Sequence, residues 1–301
     1  MVPITIGVPV YNGADLLDES LACLARQTFG DFKVLIYDNA STDATAEIAR
    51  TWAERDARFQ YLRQPNNIGG VANFRGVLEA AESPWFAWRA HDDLSADDYI
   101  ETLYRLATRS PGCKLAVSTV RSCDLDGGRL HMTPAPEVQD GLAPIGRLKT
   151  LFGSHNCWFY GLWDRQTALN AYISVTDRYP FAFASDHLTL YGPIIDGVVR
   201  ATGETEFVQR TRRTASTPRR QGRTPFSLMV ETRRLFRAEL RRMRRERDLS
   251  PSLRAALAAT EPFYLHRTLP SLLKVARTGV RELLGISGPD WKPGYYFERK
   301  S

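Results

Sequence analysis

Ile4-Thr5-Ile6-Gly7-Val8-Pro9-Val10-Tyr11-Asn12 reads as a short apolar strand that Pro9 brings to an end in a polar turn. Leu16, Leu17, Leu21, Leu24 and Ala25 then recur at helical spacing as far as Gln27, so the first unit is strand, turn, helix. The plan repeats. Phe32-Lys33-Val34-Leu35-Ile36-Tyr37 is a second buried strand, and Asp38-Asn39-Ala40-Ser41-Thr42-Asp43 supplies N-cap residues for a helix running to about Ala57. Phe59–Leu62 is a short third strand, Pro65–Gly70 a turn and Val71 to Ala81 a helix. Trp85-Phe86-Ala87-Trp88 is a fourth strand, wholly apolar, that breaks into Arg89-Ala90-His91-Asp92-Asp93.

Such alternation predicts an α/β fold whose mostly parallel sheet carries helices on both faces, with ligands bound beyond the carboxyl ends of the strands. The polar clusters at 9–12, 38–43 and 92–93 all fall at those ends. Beyond residue 110 the pattern loosens into a mixed sheet: Leu115–Val120 and Cys157–Gly161 read as strands, separated by a Gly-, Pro- and Asp-rich stretch at 122–144. From about 224 to 285 the signal is helical, with an apolar stripe of Leu228, Leu235, Phe236, Leu240 and Met243 that packs on the preceding domain or on a second subunit of a homo-oligomer.

The composition is that of an ordinary folded chain of 301 residues, 43% hydrophobic and 25% charged. Its four cysteines form no C-x-x-C pair, and its five histidines include no H-x-x-x-H spacing, so neither a disulfide framework nor a structural zinc is indicated. The strand begins almost at residue 1, with no basic and apolar leader, and no run of about 18 apolar residues occurs. A cytoplasmic protein is expected, meeting a membrane only peripherally, from its inner face. The net charge of +6 hides a concentration: residues 210–247 hold 14 arginines against Glu231, Glu239 and Glu246. That segment suits a solvated helix face, an anionic membrane surface or, less well, nucleic acid phosphates.

The candidate site residues each have two readings. Pro9 fixes the turn and Tyr11 can cover the face of a base, or the two simply shape a turn. Asp38 can accept a hydrogen bond from a base N–H, whereas Asp43 reads as a helix cap. Asp92 and Asp93 are neighbouring carboxylates whose mutual repulsion a hard divalent cation, Mg²⁺ or Mn²⁺, would relieve; such an ion bridges the phosphates of a nucleoside diphosphate. The alternative is a solvated loop, since Ser95, Asp97 and Asp98 follow. Asp186, ahead of an apolar stretch, is either an N-cap or a general base. Trp158, Trp163, Phe181 and Phe183 read as core more readily than as a sugar-stacking pocket.

Taken in order, the string 4–12, then Tyr37–Asp43, then Asn66-Asn67-Ile68-Gly69-Gly70, then His91-Asp92-Asp93, resembles the inverting family 2 glycosyltransferases of the GT-A fold. The likeness is close over about residues 3 to 105 and looser to about 215. It implies a catalytic domain at 1–215, with a nucleotide-binding half at 1–105 and an acceptor half at 106–215, followed by an Arg-rich helical extension at 216–301. It further implies that Pro9 and Tyr11 flank the base of a nucleotide-sugar donor, a UDP-sugar by family preference, and that Asp38 bonds to that base. Asn67, Gly69 and Asn73 would lie near the base and ribose-diphosphate, Asp92 at the ribose, diphosphate or metal, and Asp93 on the metal. Asp186 corresponds to the catalytic base, and the acceptor would be a glycan or lipid-linked hydroxyl in polysaccharide biosynthesis.

The chain departs from the family pattern at Ala90, where many members carry an acid, at Asn73-Phe74, where Arg-Asn is common, and at Ser185, where Glu often precedes the base. Among rivals, a sugar nucleotidyltransferase would carry a glycine-rich first loop that Pro9–Gly13 lacks. A dinucleotide enzyme would need G-x-G-x-x-G, and a P-loop enzyme G-K-[ST]. A non-catalytic nucleotide- or nucleic-acid-binding protein is the remaining alternative.

Overall fold

A computed structural model describes residues 2–125, 130–136, 144–211 and 224–285. The first half follows the alternation: β1 (Ile4–Val10), α1 (Leu17–Ala25), β2 (Phe32–Asp38), α2 (Thr45–Arg55), β3 (Phe59–Arg63), α3 (Gly70–Glu79) and β4 (Trp85–Trp88). These strands pair in the order β3-β2-β1-β4, all parallel, with Val10 opposite Asp38 and Asp38 opposite Arg63. β1 is buried along its whole length, which is why it reads as a continuous apolar run rather than an alternating one.

The second half is mixed, as the looser pattern predicts. It comprises β5 (Leu94–Ser95), α4 (Tyr99–Arg109), β6 (Leu115–Asp124), β7 (Leu130–Thr133), α5 (Pro144–Gly153), β8 (Leu162–Asp164), α6 (Arg165–Thr176), α7 (Ser185–Asp196) and β9 (Val199–Thr211). β8 runs antiparallel between β4 and β6, β9 lies parallel to β6, and β5 pairs antiparallel with β9 beside the acidic turn.

One expectation is corrected here. Cys157–Gly161 is not a strand: Asn156–Tyr160 forms a 3₁₀ helix, and the strand is the following Leu162–Asp164. Packing decides it. Phe159 stacks on Trp88 with ring centroids 4.3 Å apart, and the Trp158 indole N–H donates to the Ser118 carbonyl at 3.0 Å, which a pleated segment with alternating side chains would not allow. Trp158, Trp163 and Phe181 are buried in the core, as the blander reading had it.

The C-terminal helices α8 (Phe226–Glu246), α9 (Pro251–Thr268) and α10 (Leu272–Leu283) follow. The apolar stripe packs inward: Phe236, Leu240 and Met243 belong to the same buried cluster as the sheet, together with Leu253, Leu257 and Tyr264 of α9. The boundary expected at 215/216, like Arg212, Arg213, Arg219, Arg220 and Arg223, lies outside the described residues.

Most arginines of α8 are matched by acids rather than displayed. Glu261 of α9, 4% exposed, receives Arg237 and Arg244, with Arg241 at 3.4 Å. Arg242 pairs with Glu239 at 2.8 Å and also with Glu246, while Arg247 meets Asp196 at 2.9 Å. These five arginines of the 210–247 tract therefore meet carboxylates within the fold, three of them sharing the single charge of Glu261.

Because Arg244 is itself buried, removing its counter-charge should strand a cation in the core. Glu261→Ala is expected to lower unfolding free energy by about 3–5 kcal/mol in urea titrations. A loss below roughly 1 kcal/mol, the range of an exposed ion pair, would show that Glu261 does not anchor α8.

Candidate active site

The carboxyl ends of β1, β2 and β4 and the start of α7 surround one cavity of about 710 Å³. Pro9 and Tyr11 enter it from the end of β1, Asn39 from the loop after β2, and Asn73 and Phe74 from α3. His91, Asp92 and Asp93 come from the turn after β4, and Ser185 and Asp186 from the first turn of α7. Of the residues singled out from sequence, Pro9, Tyr11, Asn73, Asp92, Asp93 and Asp186 therefore share a lining, although they arise from four separate segments.

Local geometry fixes each segment. The loop after β1 is tied to the loop after β2, since the Asn12 amide donates to the Ser41 hydroxyl at 2.9 Å and the Gly13 amide to Thr45 Oγ1 at 2.9 Å. A Cβ on Gly13 would overlap the His91 ring, so only glycine lets the first loop lie against the acidic turn. Asn12, Ala40 and Ala184 hold left-handed backbone at φ of 49°, 60° and 61°. All three stand beside the cavity, the pattern of strain retained where side chains must be aimed.

Three of the expected residues do not line the cavity. Asp38 is fully buried and does not line the cavity. Its carboxylate accepts the Ser41 amide at 2.8 Å, the Tyr61 hydroxyl at 2.7 Å and Arg63 Nη1 at 2.7 Å, bonds that hold the loop after β2. Asn67 and Gly69 also stand back from the lining. Asn67 Oδ1 accepts from Asn39 Nδ2 at 2.8 Å and from the Gly69 amide at 2.9 Å, and Gly69 turns the chain at φ 80°. Asn39 is the residue of this group that faces the cavity.

The acidic turn is the electrostatic centre. Asp93 is 4% exposed, and its Oδ1 accepts the Arg210 backbone N–H at 2.7 Å. Burial first, and then the neighbouring Asp92, push its carboxyl up to about 7, while the Arg210 N–H, Arg89 and the Arg210 guanidinium pull the other way. The Arg210 guanidinium donates to the Asp92 carbonyl and reaches Glu19 of α1, leaving its buried Nη2 without a partner among the described residues. Arg89 lies beneath, 2% exposed, held by Ser95 Oγ at 2.8 Å and by the rings of Tyr99 and Phe207 at 5.7 and 5.3 Å. Its Nη1 also finds no described partner.

The field of Asp93, Asp186 and Asp92 is felt at Cys157 and Tyr160, whose pKa values burial and these acids together raise. Asp186 accepts the His187 amide at 2.8 Å, while burial lowers the His187 imidazole against the pull of Asp186.

No cluster of three or more His, Cys, Asp or Glu groups suited to a metal occurs among the described residues. Two adjacent carboxylates on one cavity wall, one of them raised to about 7 by burial and by its acidic neighbour, nonetheless fit Mg²⁺ or Mn²⁺, which take few protein carboxylates and fill their shell with water and phosphate oxygens. Arg210 and Gln209, the residues of β9 that complete the wall, were concealed in sequence: Arg210 counted as one arginine of a basic tract, and nothing marked its approach to Asp93.

Comparison with known proteins bears on this geometry. The family model described as glycosyl transferase family 2 matches residues 5–181, more than half of the chain. Over 102 residues, 34% of the chain, it is 33% identical to glycosyltransferase GlyA of Streptococcus pneumoniae, a match spanning 14% of that protein. It is 34% identical over 103 residues to validoxylamine A glucosyltransferase of Streptomyces hygroscopicus, covering 33% of this chain and 24% of that one. The matched stretches are thus a minor part of both relatives. Among solved structures, S. aureus TarS in complex with UDP-GlcNAc aligns over 93% of this chain and 75% of its own, with TM-score 0.64 and 16% identity. The mannosyltransferase PcManGT from Pyrobaculum calidifontis, in complex with GDP-Man and Mn²⁺, aligns over 94% and 80%, with TM-score 0.54 and 16% identity. These likenesses establish the fold.

The raised Asp93 has a measurable consequence. Its folded-state value of about 7 lies above the ordinary 3.8, so between those values the folded protein binds more protons than the unfolded one and stability falls as pH rises. In EDTA, urea unfolding free energy should drop by about 1–3 kcal/mol more between pH 5 and pH 8 for the parent than for Asp93→Asn. Equal pH slopes in the two proteins would contradict the assignment.

Proposed function

The chain belongs to glycosyl transferase family 2, and from that premise we propose that it moves a sugar from a nucleotide-sugar donor, a UDP-sugar, to a hydroxyl of a glycan or lipid-linked acceptor by inverting displacement. The observation that carries the proposal is the meeting of Asp186 with Asp92 and Asp93 across one cavity, on segments far apart in the chain. A carboxylate facing an acid pair across a space of this size is what a direct displacement requires: a base on the acceptor side and charge control on the leaving-group side.

In this reading Pro9, Tyr11 and Asn39 border the base, with Tyr11, 45% exposed, free to lie against its face. Asn67 and Gly69 shape that border through Asn39 and the turn into α3, while Asn73, whose buried Oδ1 has no described partner, is available to the ribose-diphosphate. Asp92 and Asp93 would hold a divalent cation, Mg²⁺ or Mn²⁺, which when bound supplies Lewis-acid stabilisation of the diphosphate. Arg210 contributes fixed positive charge at the same corner.

Asp186 accepts the proton of the acceptor hydroxyl as the hydroxyl oxygen attacks the anomeric carbon. The bond from that carbon to the diphosphate oxygen breaks on the opposite side, the electron pair leaving with the nucleotide. Residues 1–215 form the catalytic domain in this proposal, nucleotide-binding over 1–105 and acceptor-binding over 106–215. Residues 216–301 form the helical extension, whose described helices share the catalytic core.

UDP release from UDP-sugars in the presence of Mn²⁺, without pyrophosphate-dependent turnover, is the expected activity. Asp186→Asn should bind UDP as the parent does and turn over roughly 10²-fold more slowly or worse. Parent-like turnover in that variant would remove Asp186 from the mechanism, and pyrophosphorolysis in its place would favour a nucleotidyltransferase.

A further inference from the structure

Away from the acidic cavity, α8 and α10 enclose a second one of about 620 Å³ with the opposite character. Arg233, Lys274, Arg277 and Arg281 line it, and no acid does so among the described residues. This contrasts with Arg237, Arg241, Arg242 and Arg244 of α8 and with Arg247 just beyond it, each of which meets a carboxylate. Burial first, and then the neighbouring Arg237, lower the Arg233 pKa. Thr232, 2% exposed, also lines the cavity, and its hydroxyl has no hydrogen-bond partner among the described residues.

The same helix carries an apolar face that the described protein leaves uncovered. α10 packs inward through Val275 and through Gly279, which lies against the Phe226 ring, and Glu282 accepts the Phe226 amide at 2.8 Å. At 3.6 residues per turn, Leu272, Leu283, Ala276, Val280, Leu273 and Leu284 then fall on one adjoining arc of about 120°. All six are exposed, Leu273 by 60% and Leu283 by 87%. Arg277, Arg281 and Lys274 follow next around the circumference, between the apolar arc and the cavity. An apolar arc bordered by cations is the arrangement of a helix lying in the plane of a bilayer interface.

We propose that α10 docks the protein on an anionic membrane surface. Its leucine face enters the headgroup boundary, and the phosphate of an anionic lipid sits in the basic cavity, where Arg233, Lys274, Arg277 and the Thr232 hydroxyl receive it. Charge complementarity selects this occupant: four cations without an acid would repel a second copy of the same surface and match a negatively charged one. The proposal does not depend on the glycosyl-transfer reading, since it uses no residue of the acidic cavity.

Flotation of the full chain at low salt tests it, using phosphatidylcholine vesicles with and without roughly one-third phosphatidylglycerol. The chain should float with the anionic vesicles and remain behind with the neutral ones. Arg277→Glu with Arg281→Glu, and separately Leu273→Ser with Leu283→Ser, should each weaken anionic binding at least about tenfold while leaving UDP release unchanged. Those side chains are exposed, so the folded state is expected to tolerate the changes. No flotation, or equal flotation with both vesicles, overturns the proposal. So does a dimer that the leucine variant dissociates in the absence of vesicle binding. Thr232→Val that floats as the parent does would overturn the placing of the phosphate in the cavity.

Discussion

Two neighbouring carboxylates, Asp93 buried and Asp92 half-buried, are held in one corner of the cavity, and much of the molecule is arranged to keep them there. The turn carrying Asp92 and Asp93 leaves β4 at its carboxyl end, where a parallel sheet naturally opens to ligand. Ser20 of α1 donates to the Asp93 carbonyl at 3.0 Å, and the pairing of β5 with β9 returns the chain so that the Arg210 N–H meets the Asp93 carboxylate. The acids would be costly in such a place without compensation. Arg89 below and Arg210 beside them supply part of it, yet Asp93 remains raised to about 7, leaving the corner electrostatically incomplete. A cation and a diphosphate arriving together would complete it.

The two halves of the chain divide the electrostatic work. The GT-A fold accounts for the loops beyond the strand ends, where the acidic cavity opens, and α7 brings Asp186 to that cavity. The basic helices beyond residue 224 answer to different demands. Arg237 and Arg244 fasten α8 to α9 through the buried carboxylate of Glu261, and Arg247 meets Asp196 of α7. Arg233, Lys274, Arg277 and Arg281 instead line the cavity where α10 meets α8. Basicity that looks uniform in the sequence is therefore of two kinds: internal charge that fastens helices and external charge that remains available.

How far the sequence foretold this depended on whether a residue's partners are local. The parallel strands are legible because each is buried on both faces and reads as an unbroken apolar run, from Ile4 to Val10 or Trp85 to Trp88. Asp92, Asp93 and Asp186 are legible as acids at element ends, and the fold brings them together. Cys157–Gly161 was misleading because a short apolar run suits a strand and a buried 3₁₀ turn equally, and only the stacking of Phe159 on Trp88 decides. Asp38 is legible as a polar residue at a strand end, but its partners are not. Its partner Arg63 sits directly opposite in the β2–β3 register, a relation that no local pattern encodes. Arg210 was hidden by its neighbours, one arginine among fourteen.

The central claim is that the acid pair and a bound diphosphate share a divalent cation. Anomalous diffraction from crystals grown with UDP and Mn²⁺ addresses it without relying on turnover. The account predicts a manganese peak about 2.0–2.2 Å from a carboxylate oxygen of Asp92 or Asp93 and in contact with the diphosphate. A UDP molecule bound without metal in that corner, with both acids turned away from it, would contradict the account.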